Sequence, residues 1–317
     1  MAAMSPMPPA TVSALSIDTR GLRQVKTRSG IVTLAGRPNA GKSTLMNRLL
    51  GEKLAIVSDK PQTTRHRLVG ILTDEKGQIV FYDTPGVHRP LHRMNRQMVR
   101  HAVDAMGEGD IVCLLVDATT PFGSGDAYML ELIQKSSAPR IAILNKIDRV
   151  KKPDLLPRIG RYAETEIFEQ IVPVSALTGD GCDRLMEVLW QGLPEGEPLY
   201  DADLYTLHPE RFLAAETIRE KILLTTRNEL PFTTAVVIEK WEEAEAGDHA
   251  RIYACILVEK PGQKAILIGR KGENIKRLGI AARRDLQELL GRRVHLELFV
   301  RHEPGWREDR RLLAEIL

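Results

Sequence analysis

The stretch IVTLAGRPNAGKSTLMNRLL, residues 31–50, decides the fold. Five β-branched or aliphatic residues (31–35) run into a glycine-rich turn, and a helical pattern, LMNRLL, follows at once. Gly36 to Ser43 fits G-x-x-x-x-G-K-[ST] in the strand–loop–helix context that this pattern requires. Glycines let backbone N–H groups close around phosphate oxygens, and the N-terminus of the next helix adds partial positive charge. The predicted phosphate cradle is therefore Gly36, Arg37, Pro38, Asn39, Ala40, Gly41, Lys42, Ser43 and Thr44. Lys42 would bridge β- and γ-phosphates, and Ser43 would offer its hydroxyl to Mg²⁺. By composition alone the pattern arises in roughly one chain in a hundred of this length, so a plain glycine turn is the weaker reading.

Outward from that loop, apolar runs alternate with helical patterns: LVGILTD (68–74), QIVFYD (78–83), IVCLLVD (111–117), IAILN (141–145) and IVPVSA (171–176). Continuous apolar strands separated by helices predict a doubly wound, mostly parallel α/β sheet. The runs flanking Asp74–Gly77 are too tightly joined for a crossover and predict one antiparallel hairpin. The grammar changes at LPEGEPLYDADLYTLHPE (193–210), rich in Pro and acids and without periodicity, which reads as a linker. Beyond it the order α-β-β-α-α-β predicts a separate α+β module. The expected division is a disordered tail over 1–28, a nucleotide-binding domain over 29–193, a linker over 194–209 and a second domain over 210–317.

Bulk composition agrees with two soluble domains. The chain has 317 residues, 43% hydrophobic and 27% charged, with a net charge of +3. That near-neutral total hides a local excess: Lys260 to Arg301 holds eleven Lys or Arg against four Asp or Glu, which points to a polyanionic partner. Three widely spaced cysteines without a metal-ligand pattern indicate a reducing compartment. No apolar run approaches a membrane span. The first 28 residues, with four basic residues and Asp18 as the sole acid, read as a disordered tail more readily than as a transit peptide.

NKID, Asn145 to Asp148, closes a later strand and selects the base. Asp148 would accept from guanine N1–H and the N2 amine, donors that adenine does not offer as a pair. Asn145 would take the O6/N7 side, the Lys146 stem would cover the ring, and Ile147 fills the motif. Ser175 and Ala176 follow another strand, with the Ala176 N–H placed to meet O6. Asp83, at the tip of QIVFYD, is expected to hold Mg²⁺, and the phosphate set extends through Thr84, Pro85, Gly86 and Val87. The hydroxyl that closes on Mg²⁺ from the polar stretch 59–67 is Thr64 or Thr63, which sequence barely separates; Thr64 is the choice carried forward. Many GTPases place the attacking water with a glutamine after the D-x-x-G glycine. Here that residue is Val87.

GRPNAGKS, PQTTR, DTPG, NKID and SAL together resemble the translation-factor-like small GTPases. KAILIGRKGENIKRLGIAARRDLQELLG (264–291) resembles the core of a type II KH domain, with Gly269 and Gly272 bracketing Arg270 and Lys271 in a GxxG loop. A bare G-x-x-G occurs about once or twice per chain of this length, so the flanking helices and the basic surplus carry that assignment. The combination, with HPERFLAAETIREKILLTTRNELPFTTAVVIE (208–239), resembles the Era family of ribosome-assembly GTPases over about residues 28–310. Departures are Leu207-His208 where the family has Asp-Arg, and Asn95 where it has glycine.

The resemblance implies GTP hydrolysis with Mg²⁺. It also implies binding to the 3′ tail of small-subunit ribosomal RNA, and a cytoplasmic monomer with peripheral contact at the inner membrane face. It further implies that Asn39 coordinates a K⁺ ion standing in for a catalytic arginine, giving slow hydrolysis stimulated by K⁺ and RNA. The expected RNA contacts are an aliphatic groove from Ile266, Ile268 and Ile275, and the bases Arg270, Lys271, Lys276, Arg277, Arg283 and Arg284. Two rivals remain: a small-molecule phosphotransferase on the same fold, disfavoured by Asp148, and an RNA-binding protein with a degenerate nucleotide site, disfavoured by Lys42, Ser43 and Asp83.

Overall fold

Strand β1 (Arg28–Gly36) is buried along most of its length and leads into α1 (Lys42–Leu50). The structure, a computed structural model, describes residues 27–58, 60, 63–88, 93–226, 230–244 and 247–316. The first 26 residues, and with them most of the tail expected to be disordered, lie outside that range, as do residues 89–92 of the basic run after Val87.

Five more strands complete the first sheet: β2 (Leu68–Asp74), β3 (Gly77–Asp83), β4 (Ile111–Asp117), β5 (Arg140–Asn145) and β6 (Gln170–Pro173). Their order is β2-β3-β1-β4-β5-β6, parallel except for the β2–β3 hairpin. Strand β4, IVCLLVD, is buried on both faces, as a central parallel strand must be. One face packs on α1 and α5 (Cys182–Gly192) through Leu45, Met46, Leu185 and Leu189. The other packs on α2 (Arg93–Glu108), α3 (Ser124–Ile133) and α4 (Lys152–Ala163) through Ala102, Met106, Met129 and Tyr162. Chain order reverses on either side of β1, so the carboxyl ends of β1, β3 and β5 open on one crevice, the place for a ligand in such sheets.

The last strand is shorter than its apolar run suggests. The Val174 N–H still reaches Leu144 O, but the Ser175 N–H turns to Asp180 O and starts a loop. The linker is held against the sheet as well. It bridges Thr206 to Gly70, accepts the Ile71 N–H at Tyr205 O, and lets His208 Nε2 accept from the Val69 N–H at 3.0 Å. Strand β2 lies at the sheet edge, and a covered edge leaves no unpaired backbone template. Accepting through Nε2 requires a neutral ring there, and burial lowers the His208 pKa in the same direction.

The second module runs α6 (Glu210–Thr225), β7 (Thr234–Glu243), β8 (His249–Val258), α7 (Pro261–Ile268), α8 (Glu273–Leu290), β9 (Arg293–His302) and α9 (Arg310–Ile316). Its sheet is ordered β7-β8-β9, antiparallel then parallel. Ile218 and Ile222 of α6 and Leu278, Ala282 and Leu286 of α8 cover one face. On the other, Ala235, Val237, Cys255 and Leu257 pack with Trp306, Leu313 and Ile316, and with Met94 and Met98 of α2. The two modules thus share an apolar cluster built on the helix that follows the Asp83 loop.

Candidate functional site

The turn between β1 and α1 places Lys42 at the first helical position, 5% exposed, with Nζ donating to Gly36 O and Arg37 O at 3.2 Å each. Gly41 opens that helix at φ 97, where a Cβ would run into Asn145 Nδ2, so this position needs glycine. Asp83, at the end of β3, is 0% exposed. Its Oδ2 accepts from Ser43 Oγ at 2.6 Å and Thr64 Oγ1 at 3.0 Å, and the two hydroxyls lie 2.9 Å apart. Asp83 Oδ1 is buried without a hydrogen-bond partner among the described residues. Thr63 Oγ1 instead donates to Lys60 O at 2.7 Å, so Thr64 is the threonine brought to the carboxylate.

Burial pushes the Asp83 pKa up, against the pull of Lys42 and the two hydroxyls. It pushes the Lys42 pKa down, against the pull of Asp83. Both groups are thus driven toward neutrality in a pocket shaped for opposite charges, and a phosphate beside one and a cation beside the other would reverse both shifts. Two hydroxyls and one carboxylate, whose Oδ1 is orphaned, fit Mg²⁺, which keeps waters and takes its other ligands from phosphate. Among the described residues there is no cluster of three or more His, Cys, Asp or Glu suited to a metal centre complete in itself.

Pro38, Asn39, Gly41, Lys42, Ser43, Thr44, Thr63, Thr64 and Gly86 line one cavity. Ile56, Val57 and Ser58 line it too, and sequence motifs gave no sign of them. Thr84 hydrogen-bonds Leu34 O through both N–H and Oγ1, and the Val87 N–H donates to Gly36 O, which docks the Thr84–Val87 turn on the cradle. Val87 is 2% exposed and belongs to the sheet's core. Arg37 pairs with Asp126 of α3 at 2.9 Å.

At the base-recognition end, Asn145 has structural work that the motif alone does not show. Both its polar ends are engaged inside the protein. Nδ2 donates to Ala40 O at 2.8 Å, while Oδ1 accepts from the Lys146 N–H at 2.8 Å and the Ala176 N–H at 2.9 Å. It therefore ties the cradle, the NKID loop and the Ser175 loop together, and the Ala176 N–H is held by Asn145. Asp148 accepts from Ser175 Oγ at 2.6 Å, which orients the carboxylate. Ile147 begins the short turn after β5. Lys146 takes a left-handed φ of 68 and anchors Nζ on Asp117 Oδ2 and Asn39 O, both at 2.7 Å. Asp117 was missed from sequence; its signal was an acid closing β4 in register with Asn145. Arg48 fixes the third loop through Ala176 O and Leu177 O.

The second module presents a different kind of surface. Gly269, Arg270, Lys271 and Gly272 form a tight turn between α7 and α8, with positive φ at Gly269, Lys271 and Gly272. Arg270, Lys271, Lys276, Arg277 and Arg283 are all exposed, and none pairs with an acid among the described residues. Ile268 and Ile275 are partly buried against the module's core, whereas Ile266 is exposed. An apolar groove opens from Ile275 along α8. Ile275, Lys276, Gly279, Ile280 and Arg283 of α8 face Leu296 and Leu298 of β9 around a cavity of about 280 Å³. Ile280 at its rim is 54% exposed.

Comparison with known proteins follows this two-part anatomy. Residues 31–146 match the family model described as a 50S ribosome-binding GTPase, and residues 229–307 match the KH domain. GTPase Era of Geobacter metallireducens is 46% identical over 289 residues, covering 91% of this chain and 97% of the relative. GTPase Era of Geotalea uraniireducens is 48% identical over 288 residues, with the same shares. Among solved structures, Era in complex with MgGDPNP and nucleotides 1506–1542 of 16S ribosomal RNA superimposes with a TM-score of 0.89 at 37% identity, covering 92% of this chain and 98% of that one. A variant of Aquifex aeolicus Era bound to GDP·AlF4⁻ gives 0.88 at 37% identity, covering 92% and 99%. With a P-loop GTPase domain and a KH domain joined in this order, the chain belongs to the Era family of GTPases.

Proposed function

We propose that this protein is a GTP-hydrolysing switch that binds the 3′ region of small-subunit ribosomal RNA and acts in assembly of that subunit. The observation that carries it is a complete constellation, with Lys42, Thr64 and Asp83 buried and Ser43 half-buried beside them, in one chain with an exposed basic GxxG loop. Residues 29–193 bind GTP and GDP, 194–209 connect, and 210–317 bind RNA. Ser43, Thr64 and Asp83 hold Mg²⁺, which supplies positive charge to the β- and γ-phosphate oxygens. Lys42 and the backbone N–H groups from Gly36 to Thr44 clamp the phosphates, and the Gly86 N–H reads the γ-phosphate. Asp148, set by Ser175, takes the two guanine donors, and Lys146 covers the ring.

Hydrolysis is slow because Val87, the residue after Gly86, cannot place the water. K⁺ at Asn39 and RNA at the second module accelerate it. Equal rates in K⁺ and Na⁺, or full K⁺ stimulation after Asn39→Ala, would refute the cation's part. RNA threads over Arg270 and Lys271, with bases in the groove beside Ile280 and Lys276, Arg277 and Arg283 along the backbone.

No described helix is long and apolar enough to cross a membrane. We place the protein in the cytoplasm as a monomer, with any contact at the inner membrane face peripheral. Competition of GTP against ATP for the pocket, with turnover followed at fixed salt, tests the nucleotide reading. Preference for GTP with phosphate release is expected, and equal displacement by ATP would overturn it.

A further inference from the structure

Thr64, which joins Ser43 and Asp83, is flanked on both sides by grips from the second module. Before it, Thr63 O accepts from Arg219 of α6, which is itself held by both carboxylate oxygens of Glu216. After it, Arg65 is 1% exposed and enters the second module outright. Its Nη1 donates to Thr234 O at 2.7 Å, and its Nη2 reaches Phe232 O at 3.3 Å and Pro231 O at 3.4 Å. The guanidinium carbon lies 5.6 Å from the centre of the Trp306 ring. Burial, with Arg219 close by, lowers the Arg65 pKa to about 9, so the group is still charged at neutral pH.

The same segment continues toward the GxxG loop. Thr233 O accepts from Trp306 Nε1 at 3.1 Å, and Thr233 Oγ1 accepts from Gln263 Nε2 at 2.9 Å. Gln263 Oε1 caps the start of α7, the helix that ends at Gly269. Consecutive Cα atoms are 3.8 Å apart, so Thr64 cannot travel far while Arg65 and Thr63 stay fixed. Arg65 Nε and Arg219 Nη1 are buried without a hydrogen-bond partner among the described residues, which leaves both guanidiniums donors for a second arrangement.

We infer that Arg65 is a positioning residue that couples the two modules: its grip on residues 231–234 and Trp306 ties the placement of Thr64 at the nucleotide to the placement of β7 and, through Thr233 and Gln263, of α7, the helix that leads into the GxxG loop. Each site then biases the other, as linkage requires. The effect on RNA rests on the RNA reading of the GxxG face given above; the effect on residues 230–234 does not.

Backbone amide exchange of the full chain, read at residues 230–234 with GDP and with a non-hydrolysable GTP analogue, tests the coupling. Wild type is expected to differ at least about fivefold between the two states, the low end of usual coupling. In Arg65→Gln the difference falls below about twofold while GDP, which lacks the γ-phosphate on which Thr64 closes, still binds. A full difference in Arg65→Gln, or none in wild type, overturns the inference. If Arg65→Gln lacks a cooperative melt, Arg65→Lys decides: it keeps the charge without the planar fork. It is expected to lose more than half of the difference, and keeping all of it overturns the inference. A second arm measures affinity for a single-stranded RNA oligonucleotide in both nucleotide states. Failure of wild type to bind in either state refutes the RNA reading alone, and the exchange result still decides on Arg65.

Discussion

The nucleotide pocket and the GxxG face are both built to meet phosphate, yet they use opposite means. In the pocket Lys42, Asp83, Asn145 and Ser175 are buried, and all four are hydrogen-bonded inside the protein. On the GxxG face Arg270, Lys271, Lys276, Arg277 and Arg283 stand in solvent. Preorganised dipoles and charges in a site shielded from water act strongly on charge that develops during reaction. Exposed bases attract a polyanion at long range, release its counterions and tolerate changes of register. One region suits chemistry at a fixed atom, and the other suits a strand that must be captured and let go.

If that contrast holds, substitutions should separate the two regions cleanly, and the largest effect should fall in the pocket. Lys42→Ala is expected to lower kcat for GTP about a hundred- to thousandfold, the range for losing one preorganised donor to transition-state charge. Single-turnover phosphate release measures it, and RNA affinity in the GDP state should not move. The reciprocal break is Gly272→Asp. Its φ of 78 disfavours a side chain by about 1–2 kcal/mol, and a carboxylate would oppose the incoming phosphate. RNA binding by the full chain should fall at least about a hundredfold, or ~2.7 kcal/mol, with GTP turnover in the absence of RNA intact. Unchanged RNA affinity in a filter-binding assay at fixed salt would refute the KH reading.

Smaller effects sharpen the contrast. Asn145→Ala removes three bonds that hold three loops and should weaken guanine nucleotide binding by about 2–3 kcal/mol, or roughly thirty- to a hundred-and-fiftyfold in Kd by calorimetry. Arg270→Ala and Lys271→Ala should each reduce the salt slope of RNA binding by about one, with titrations at several salt concentrations as the readout.

Asp83→Asn separates stability from activity. The folded-state pKa of Asp83 is raised, so its ionisation costs stability in the nucleotide-free protein as pH rises past the ordinary carboxylate range. The variant should lose hydrolysis yet melt about 2–4 °C higher at neutral pH without nucleotide, the shift that ~1 kcal/mol gives in a protein of this size class. A lower melting temperature would contradict the charge strain assigned to that carboxylate.

How much of this was legible in the sequence follows the same divide. The first sheet could be read because a strand buried on both faces leaves an unbroken apolar run, as IVCLLVD does, and because the hairpin at Asp74–Gly77 is too short for anything else. GRPNAGKS and NKID were legible because steric and hydrogen-bond demands fix residue type at fixed spacing. What Asn145 bonds was not legible, since a side chain that joins three loops carries no local pattern. Neither was Asp117, whose partner Lys146 is distant in sequence. The Leu296–Leu298 wall of the groove was not legible because it comes from a later strand, and Ile268 and Ile275 look alike in sequence whether they face core or solvent. Arg65 was read as part of a basic, polar stretch, and only packing against Trp306 and the 231–234 carbonyls distinguishes it from a surface arginine.

The central claim is that one chain reads RNA with its second module according to the nucleotide held by its first. Crosslinking of the full chain to small-subunit ribosomal RNA, mapped to the nucleotide with GTP analogue, with GDP and without nucleotide, tests it most directly. The account predicts crosslinks from residues 269–283 to the 3′ tail whose yield changes between the GTP-analogue and GDP states. Crosslinks scattered away from the 3′ tail, or a yield indifferent to nucleotide, would contradict it.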